Sequence, residues 1–289
     1  MGLKKIDDNL YLLPGSPSTL IANLDETIII DPGKGKDRHK DILREMRKLS
    51  LESKISLATH THADHIEVVP KLNVTLYVHE SEFSSAKYKI VREIITVGSK
   101  MFNSFLKEAD RLNDIENVKT FSWDEEIFGI KTIQLNGHSP GMTGFVINNT
   151  LYAGDSFFGE NLLSKVGMPY FIDYDLFMNS LNKLLDFAEK GYTLVPSHGP
   201  IVSGESAVEL IRRNIETTER LESLILELLS AKRCEDSLLK ELMKKLGTDI
   251  STFTLYLNRV PLRAILTKLV NENKVEIIED DGLLKFKSR

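Results

Sequence analysis

The chain has 289 residues, 42% of them hydrophobic and 27% charged, with a formal net charge of -5 at pH 7. That length allows one large domain, or one large and one small, around a sizeable core. The acidic balance argues against nucleic-acid affinity spread over the whole surface, a single cysteine (Cys234) rules out an intramolecular disulfide or a cysteine metal cluster, and no apolar run approaches the roughly 20 residues of a membrane helix.

The N-terminal stretch MGLKKIDDNLYLLPGSP lacks an apolar core and a cleavage site, so a cytoplasmic protein with no membrane association is expected. Ile6 stands where a myristoylation motif needs Ser or Thr. LYLLPG, STLIANL and TIIIDPG then read as short strands closed by Pro, Gly, Asn or Asp. Residues 37–49 carry Ile42, Leu43, Met46 and Leu49 at helical spacing. KISLATH and VTLYVHE are the next strands, so the order strand, helix, strand predicts α/β layering with ligands at strand ends.

From Ser81 to Asn117 the pattern predicts helices uninterrupted by proline, either packed on the core or bordering a site and setting substrate access. Strands resume with GIKTIQL, GFVINN and TLYAGD, followed by an amphipathic helix that ends at Gly191 and by the strand YTLVPSHG. A long amphipathic helix over 205–233 leads to two more helices and VEIIEDDGLLKFK, where DDG between β-rich runs predicts a hairpin. Two domains are expected, 1–230 and 231–289, the second a small winged-helix-like module. Cys234, in AKRCEDS, is read as a bystander.

Three of the seven histidines fall within LATHTHADHI. Histidine serves metal binding, proton transfer or pH switching. His60 and His62 are two apart at a strand end, so both side chains point the same way, and Asp64 and His65 lie where the chain turns into a helix. His138 in LNGHSPGMTG, Asp155 in LYAGDSFF and His198 in LVPSHGP also follow strands, where open α/β sheets keep their sites. Zinc takes three or four such ligands and leaves a position for water when the site is catalytic. Any one of these histidines alone reads as a structural residue. His39, on a charged helix, reads as solvated, and His79 reads as a strand-end residue at the surface.

Together HTHADH, GHSPG, AGD and SHGP resemble the motifs of the metallo-β-lactamase fold superfamily, in order, over roughly residues 10–205. The resemblance implies a four-layer αββα sandwich. It implies that His60, His62 and His138 hold a first metal, that Asp64, His65 and His198 hold a second, that Asp155 bridges them, and that Asp31 supports the site. Two divalent ions follow, zinc first, with manganese or iron as the other choices. One departure is that HIEVVP lacks the family's glycines, so Glu67 and Val68 imply altered packing behind the site.

Two divalent ions about 3.5–4 Å apart can hold a hydroxide between them and polarise its target. The implied reaction is hydrolysis of an ester, thioester or phosphodiester, with Asp64 accepting or relaying a proton and no protein nucleophile. FIDYDLFMNSLNKLL, VPSHGPIV and the helix-and-wing tail are similar to the β-lactamase-like protein 2 group, which implies single-stranded RNA as a substrate alongside small molecules. The tail holds twelve Lys/Arg against nine Asp/Glu, a meagre excess for phosphate contacts, so dimerisation or packing is an equal reading of that module. Glyoxalase II resembles the metal domain alone. THTHADHI is also similar to the persulfide dioxygenases, which use one iron and oxidise a thiol with O₂. A non-catalytic nucleic-acid-binding role is disfavoured by the complete set of ligand-type residues.

Overall fold

A computed structural model describes residues 2–102, 111–248 and 250–289. Two sheets lie face to face, each covered on its outer side by helices, and a C-terminal helix and sheet region completes the molecule. The first sheet runs β1 (Lys4–Asp7), β2 (Leu10–Leu13), β3 (Thr19–Asn23), β4 (Thr27–Ile30), β5 (Ile55–Leu57), β6 (Thr75–His79) and β7 (Val118–Phe121), in chain order. β1 to β4 pair antiparallel and β4 to β7 pair parallel. The second sheet has the order Thr193–Pro196 (β12), Thr150–Gly154 (β11), Thr143–Ile147 (β10), Ile130–Gln134 (β9) and Glu126–Ile127 (β8).

The period-2 alternation of strands sorts side chains between layers. Leu10, Leu20, Ile28 and Ile30 meet Phe145, Tyr152 and Val195 between the sheets. Their neighbours Ile21 and Ile29 point the other way, onto Ile42 and Met46 of α1 (Arg38–Lys48). Outside the second sheet, Leu151 and Ala153 meet Phe177, Leu181 and Leu184 of the helix Tyr174–Glu189. That helix is capped by Asp173, whose side chain accepts the Leu176 N–H, and it ends before Gly191 in the left-handed region.

The C-terminal region consists of helix Glu235–Leu246, helix Thr252–Asn271 and a sheet of Arg233–Cys234, Leu283–Ser288 and Val275–Asp280. Asp281 and Gly282, both at positive φ, form the tight turn of the hairpin, as DDG predicts. The long helix Gly204–Leu228 joins this region to the rest. One apolar cluster runs from Ile133 through Leu221 and Ile225 to Leu262, Ile265 and Leu269, and on to Val275. No helix among the described residues is long and apolar enough to cross a membrane.

Three expectations are corrected. The helical stretch over 81–117 is interrupted: α3 (Phe83–Lys87) and α4 (Lys89–Val97) meet at Tyr88, whose backbone is extended, and α4 stops at left-handed Gly98. Residues 111–117 form no helix, and 103–110 lie outside the described residues. His79 is 3% exposed rather than at the surface, because its ring stacks on Trp123 at 3.7 Å and its Nδ1 accepts the Ser81 N–H. His39 is half-buried rather than solvated.

Candidate metal centre

The end of β5 runs into an extended segment bearing His60 and His62, and then into a single helical turn, α2 (Ala63–Ile66), bearing Asp64 and His65. His138 follows β9, Asp155 follows β11 and His198 follows β12. Both sheets thus deliver their strand ends to one place. Gly137 makes one approach possible, since a Cβ there would lie 2.3 Å from Phe177 N, and its φ of +119° is one that side chains avoid.

The seven predicted residues come together. One atom from each of His60, His62 and His138 lies within 4.8 Å of the others, and the same holds for His60, His65 and Asp155 and for Asp64, His65 and His198. His60 Nε2 is 2.9 Å from His62 Nδ1, and His138 Nε2 is 3.2 Å from the first and 3.0 Å from the second. Asp155 Oδ2 lies 3.5 Å from both His65 Nε2 and His198 Nε2 and 3.7 Å from His138 Nε2. Asp64 Oδ2 lies 3.4 Å from His198 Nε2.

An outer set of contacts engages the rings and fixes the tautomers of His138, His65 and His60. His138 Nδ1–H donates to the Tyr170 carbonyl at 2.8 Å, and His65 Nδ1–H donates to Asp31 Oδ2 at 2.8 Å. His60 Nδ1 meets Thr59 Oγ1, whose own proton goes to Asp31 Oδ2 at 2.7 Å, and His198 Nδ1 meets Ser16 Oγ at 2.7 Å. Asp31 also accepts the Thr59 N–H at 2.8 Å, so it braces two parts of the site without facing its centre. Nothing in the residue pattern points to Ser16 or Tyr170, which act through a hydroxyl and a carbonyl that any nearby loop can supply.

Electrostatics divides the residues in two. Burial, reinforced by the neighbouring histidines, holds His60 well below its ordinary pKa, and burial takes His138 down to about 3. Burial opposes charge on His65 too, but Asp155, Asp31 and Asp64 outweigh it and raise that ring well above its usual value. His198 is raised against burial by Asp155 and Asp64. Burial alone would raise Asp64, yet His65 and His198 hold its carboxyl well below the usual range.

These residues fit a metal. With their Nδ1 atoms engaged outward, His60 and His138 turn two lone pairs on each other at 3.2 Å with no proton between them. Such a pair repels unless a cation, or a proton on His62 Nδ1 at 2.9 and 3.0 Å from the two, stands beside it, and ligand nitrogens at about 2.0–2.1 Å from tetrahedral zinc are themselves about 3.3 Å apart. Among the described residues His65 Nε2 and Asp155 Oδ1 are buried and have no hydrogen-bond partner, a costly arrangement for groups with nothing to bind.

The centre opens into a cavity of about 340 Å³. Its walls include Lys34, the α4 residues Thr96 and Val97, and Phe253 and Leu257 of the helix Thr252–Asn271. Glu67 and Val68, in place of the expected glycines, clamp the loop behind the centre: Glu67 Oε1 accepts the Gly35 N–H, and the Val68 N–H reaches the Gly33 carbonyl.

Residues 13–198 match the family model of the metallo-beta-lactamase superfamily. The chain is 26% identical over 178 residues to hydroxyacylglutathione hydrolase GloC of Haemophilus influenzae, covering 59% of this chain and 79% of that protein. It is 29% identical over 139 residues to a hydroxyacylglutathione hydrolase of Buchnera aphidicola subsp. Baizongia pistaciae, and it spans only 43% of that relative's length. A metallo-beta-lactamase family protein of Thermus thermophilus has a similar fold, with a TM-score of 0.73 at 19% identity, over 99% of this chain and 100% of that one. With a family match over well more than half its length, the chain belongs to the metallo-beta-lactamase superfamily.

Proposed function

We propose that this protein is a metal-dependent hydrolase holding two divalent ions, zinc first, and acting on an ester or thioester. In this reading His60, His62 and His138 hold one ion, Asp64, His65 and His198 hold the other, and Asp155 lies between them. The convergence of proton-free nitrogens at His60 and His138 carries the proposal. The hydrolase relatives support the reaction class. Divalent ions, when bound, supply Lewis-acid polarisation of a carbonyl and lower the pKa of water.

The chain's own residues supply the rest. Asp64, held ionised beside His198, stands at the cavity as the group that accepts or relays a proton. Hydrolysis forms an O–C bond from water to the acyl carbon and breaks the C–S or C–O bond, and the proton goes to the departing thiolate or alkoxide. We further assign the C-terminal residues 231–289 to a winged-helix-like module of the β-lactamase-like protein 2 kind, appended to a catalytic part over 1–230.

Elemental analysis after purification without chelator tests the proposal. Two zinc or manganese ions per chain, with thioester hydrolysis that chelator abolishes and metal restores, is the expected outcome. One iron per chain with thiol-dependent oxygen consumption overturns it in favour of oxidation.

A further inference from the structure

The cavity that opens from the metal centre is also lined by the start of the helix Thr252–Asn271, through Phe253 and Leu257. Phe158, Leu162, Met168 and Val97 add further apolar wall. At about 340 Å³ the space is near the lower end of small-molecule sites, which run from about 300 to 1,000 Å³. It is too small for stacked nucleotides. Lys34 is the one lysine or arginine among the described lining residues. It is exposed and enters no ion pair among the described residues. A phosphodiester chain needs several cations along its path. A single cation beside apolar walls suits one anionic group on an otherwise apolar molecule.

We infer that this cavity is an acyl pocket for small thioesters or esters carrying one carboxylate or similar anion, and that Phe253 and Leu257 of the C-terminal helix set the size of the acyl group. The inference rests on the hydrolase reading above. It gives the C-terminal region a role in choosing a small substrate instead of holding RNA. Phe253 and Leu257 are half-buried, so each can be replaced without opening the main core.

The test uses the metal-loaded full-length protein and S-acyl thioesters of 3-mercaptopropionate, from acetyl to decanoyl, with thiol release as the readout. Each is compared with the matching thioester of 3-mercaptopropionamide, which lacks the charge. Phe253→Ala and Leu257→Ala move the preferred chain length upward, with kcat/KM for the longer members rising about tenfold relative to acetyl. Leu257→Phe, which fills space, moves it downward. Lys34→Gln removes most of the preference for the carboxylate over the amide, up to about fivefold. Unchanged chain-length profiles in all three wall variants, at unchanged metal content and circular dichroism, overturn the inference while the hydrolase reading stands. Cleavage of single-stranded RNA with no thioester turnover overturns the inference as well. Absence of turnover on every member of both series, with no cleavage of RNA either, overturns the hydrolase reading itself.

Discussion

Glu82 Oε1 accepts a hydrogen bond from Ser139 Oγ at 2.6 Å, across 57 residues of chain. The same oxygen accepts the Gly141 N–H at 2.8 Å, while Oε2 takes the Thr61 hydroxyl. One buried carboxylate therefore ties the loop that carries His138 to the segment that carries His60 and His62. Glu82→Gln keeps the shape but puts an amide nitrogen where an acceptor is needed. We expect it to weaken metal binding at the position of His60, His62 and His138 by about 10–100-fold, as changes to outer ligand supports do. Competition with a chromophoric chelator measures this, and equal affinity in both proteins would remove Glu82 from the positioning of those histidines.

Asp31 has a φ of +47°, a left-handed conformation that Asn tolerates equally well. Asp31→Asn thus isolates the charge and acceptor role from the backbone. Its carboxylate holds the His65 Nδ1–H and both donors of Thr59. Loss of one member of a buried ionic network costs about 3–5 kcal/mol. Denaturant unfolding should show a drop of that order, and a change below about 1 kcal/mol would mean that Asp31 is a plain turn residue.

Two glycines at positive φ separate strain from crowding. Gly191, past the helix Tyr174–Glu189, has nothing among the described residues within 4 Å of an added Cβ, so Gly191→Ala should cost only the left-handed backbone penalty of about 1–2 kcal/mol. Gly137→Ala meets the backbone of Phe177 as well and should cost about 3 kcal/mol or more. It should also displace His138 and lower the metal content. Similar melting temperatures for the two variants would contradict the packing described at Gly137.

Acid should loosen the contact between the helices Gly204–Leu228 and Thr252–Asn271. Glu222 lies 2.9 Å from Lys268 Nζ and 3.1 Å from Lys274 Nζ. Burial pushes its carboxyl up, but the hydrogen bonds from the two lysines prevail and leave it below the ordinary value. A pKa lower in the folded than in the unfolded state contributes stability above the unfolded value, near 4.3 for Glu by rough model-peptide standards. That contribution falls away as pH drops from there through the folded value. Thermal unfolding from pH 7 to pH 3 should show a flatter acid limb for Glu222→Gln than for the parent, and identical limbs would assign the acid sensitivity elsewhere.

Much of this architecture is legible in the residue order because strands with hydrophobic runs end in Gly, Pro or Asp, and the ligand-type residues sit just past those ends. His60, His62, His138, Asp155 and His198 follow that rule, and the structure gathers them. What escapes is whatever depends on non-local partners. His79 reads as a surface strand end because nothing local reveals that Trp123 will cover it. The run after Ser81 reads as continuous helix because hydrophobic spacing does not register the extended backbone at Tyr88, although Gly98 does mark a stop. Glu82 looks like any acidic residue in ESE until Ser139 and Gly141 arrive from a distant loop. Phe253 and Leu257 look like ordinary apolar residues of a helix, and only the fold brings them to the cavity.

The apolar cluster that runs unbroken from Ile133 to Val275 has a consequence for how the protein is made. The stripe of Leu221, Ile225 and Leu228 finds its cover in Leu238, Leu242 and Leu262, which leave the ribosome later. Until they do, the C-terminal part of a 25-residue helix carries an oily stripe without that cover, a state that invites chaperone capture or clumping. Synthesis halted near residue 230 would leave that face permanently bare, so a shortened chain should accumulate as aggregate even though every residue drawn to the metal centre is already present.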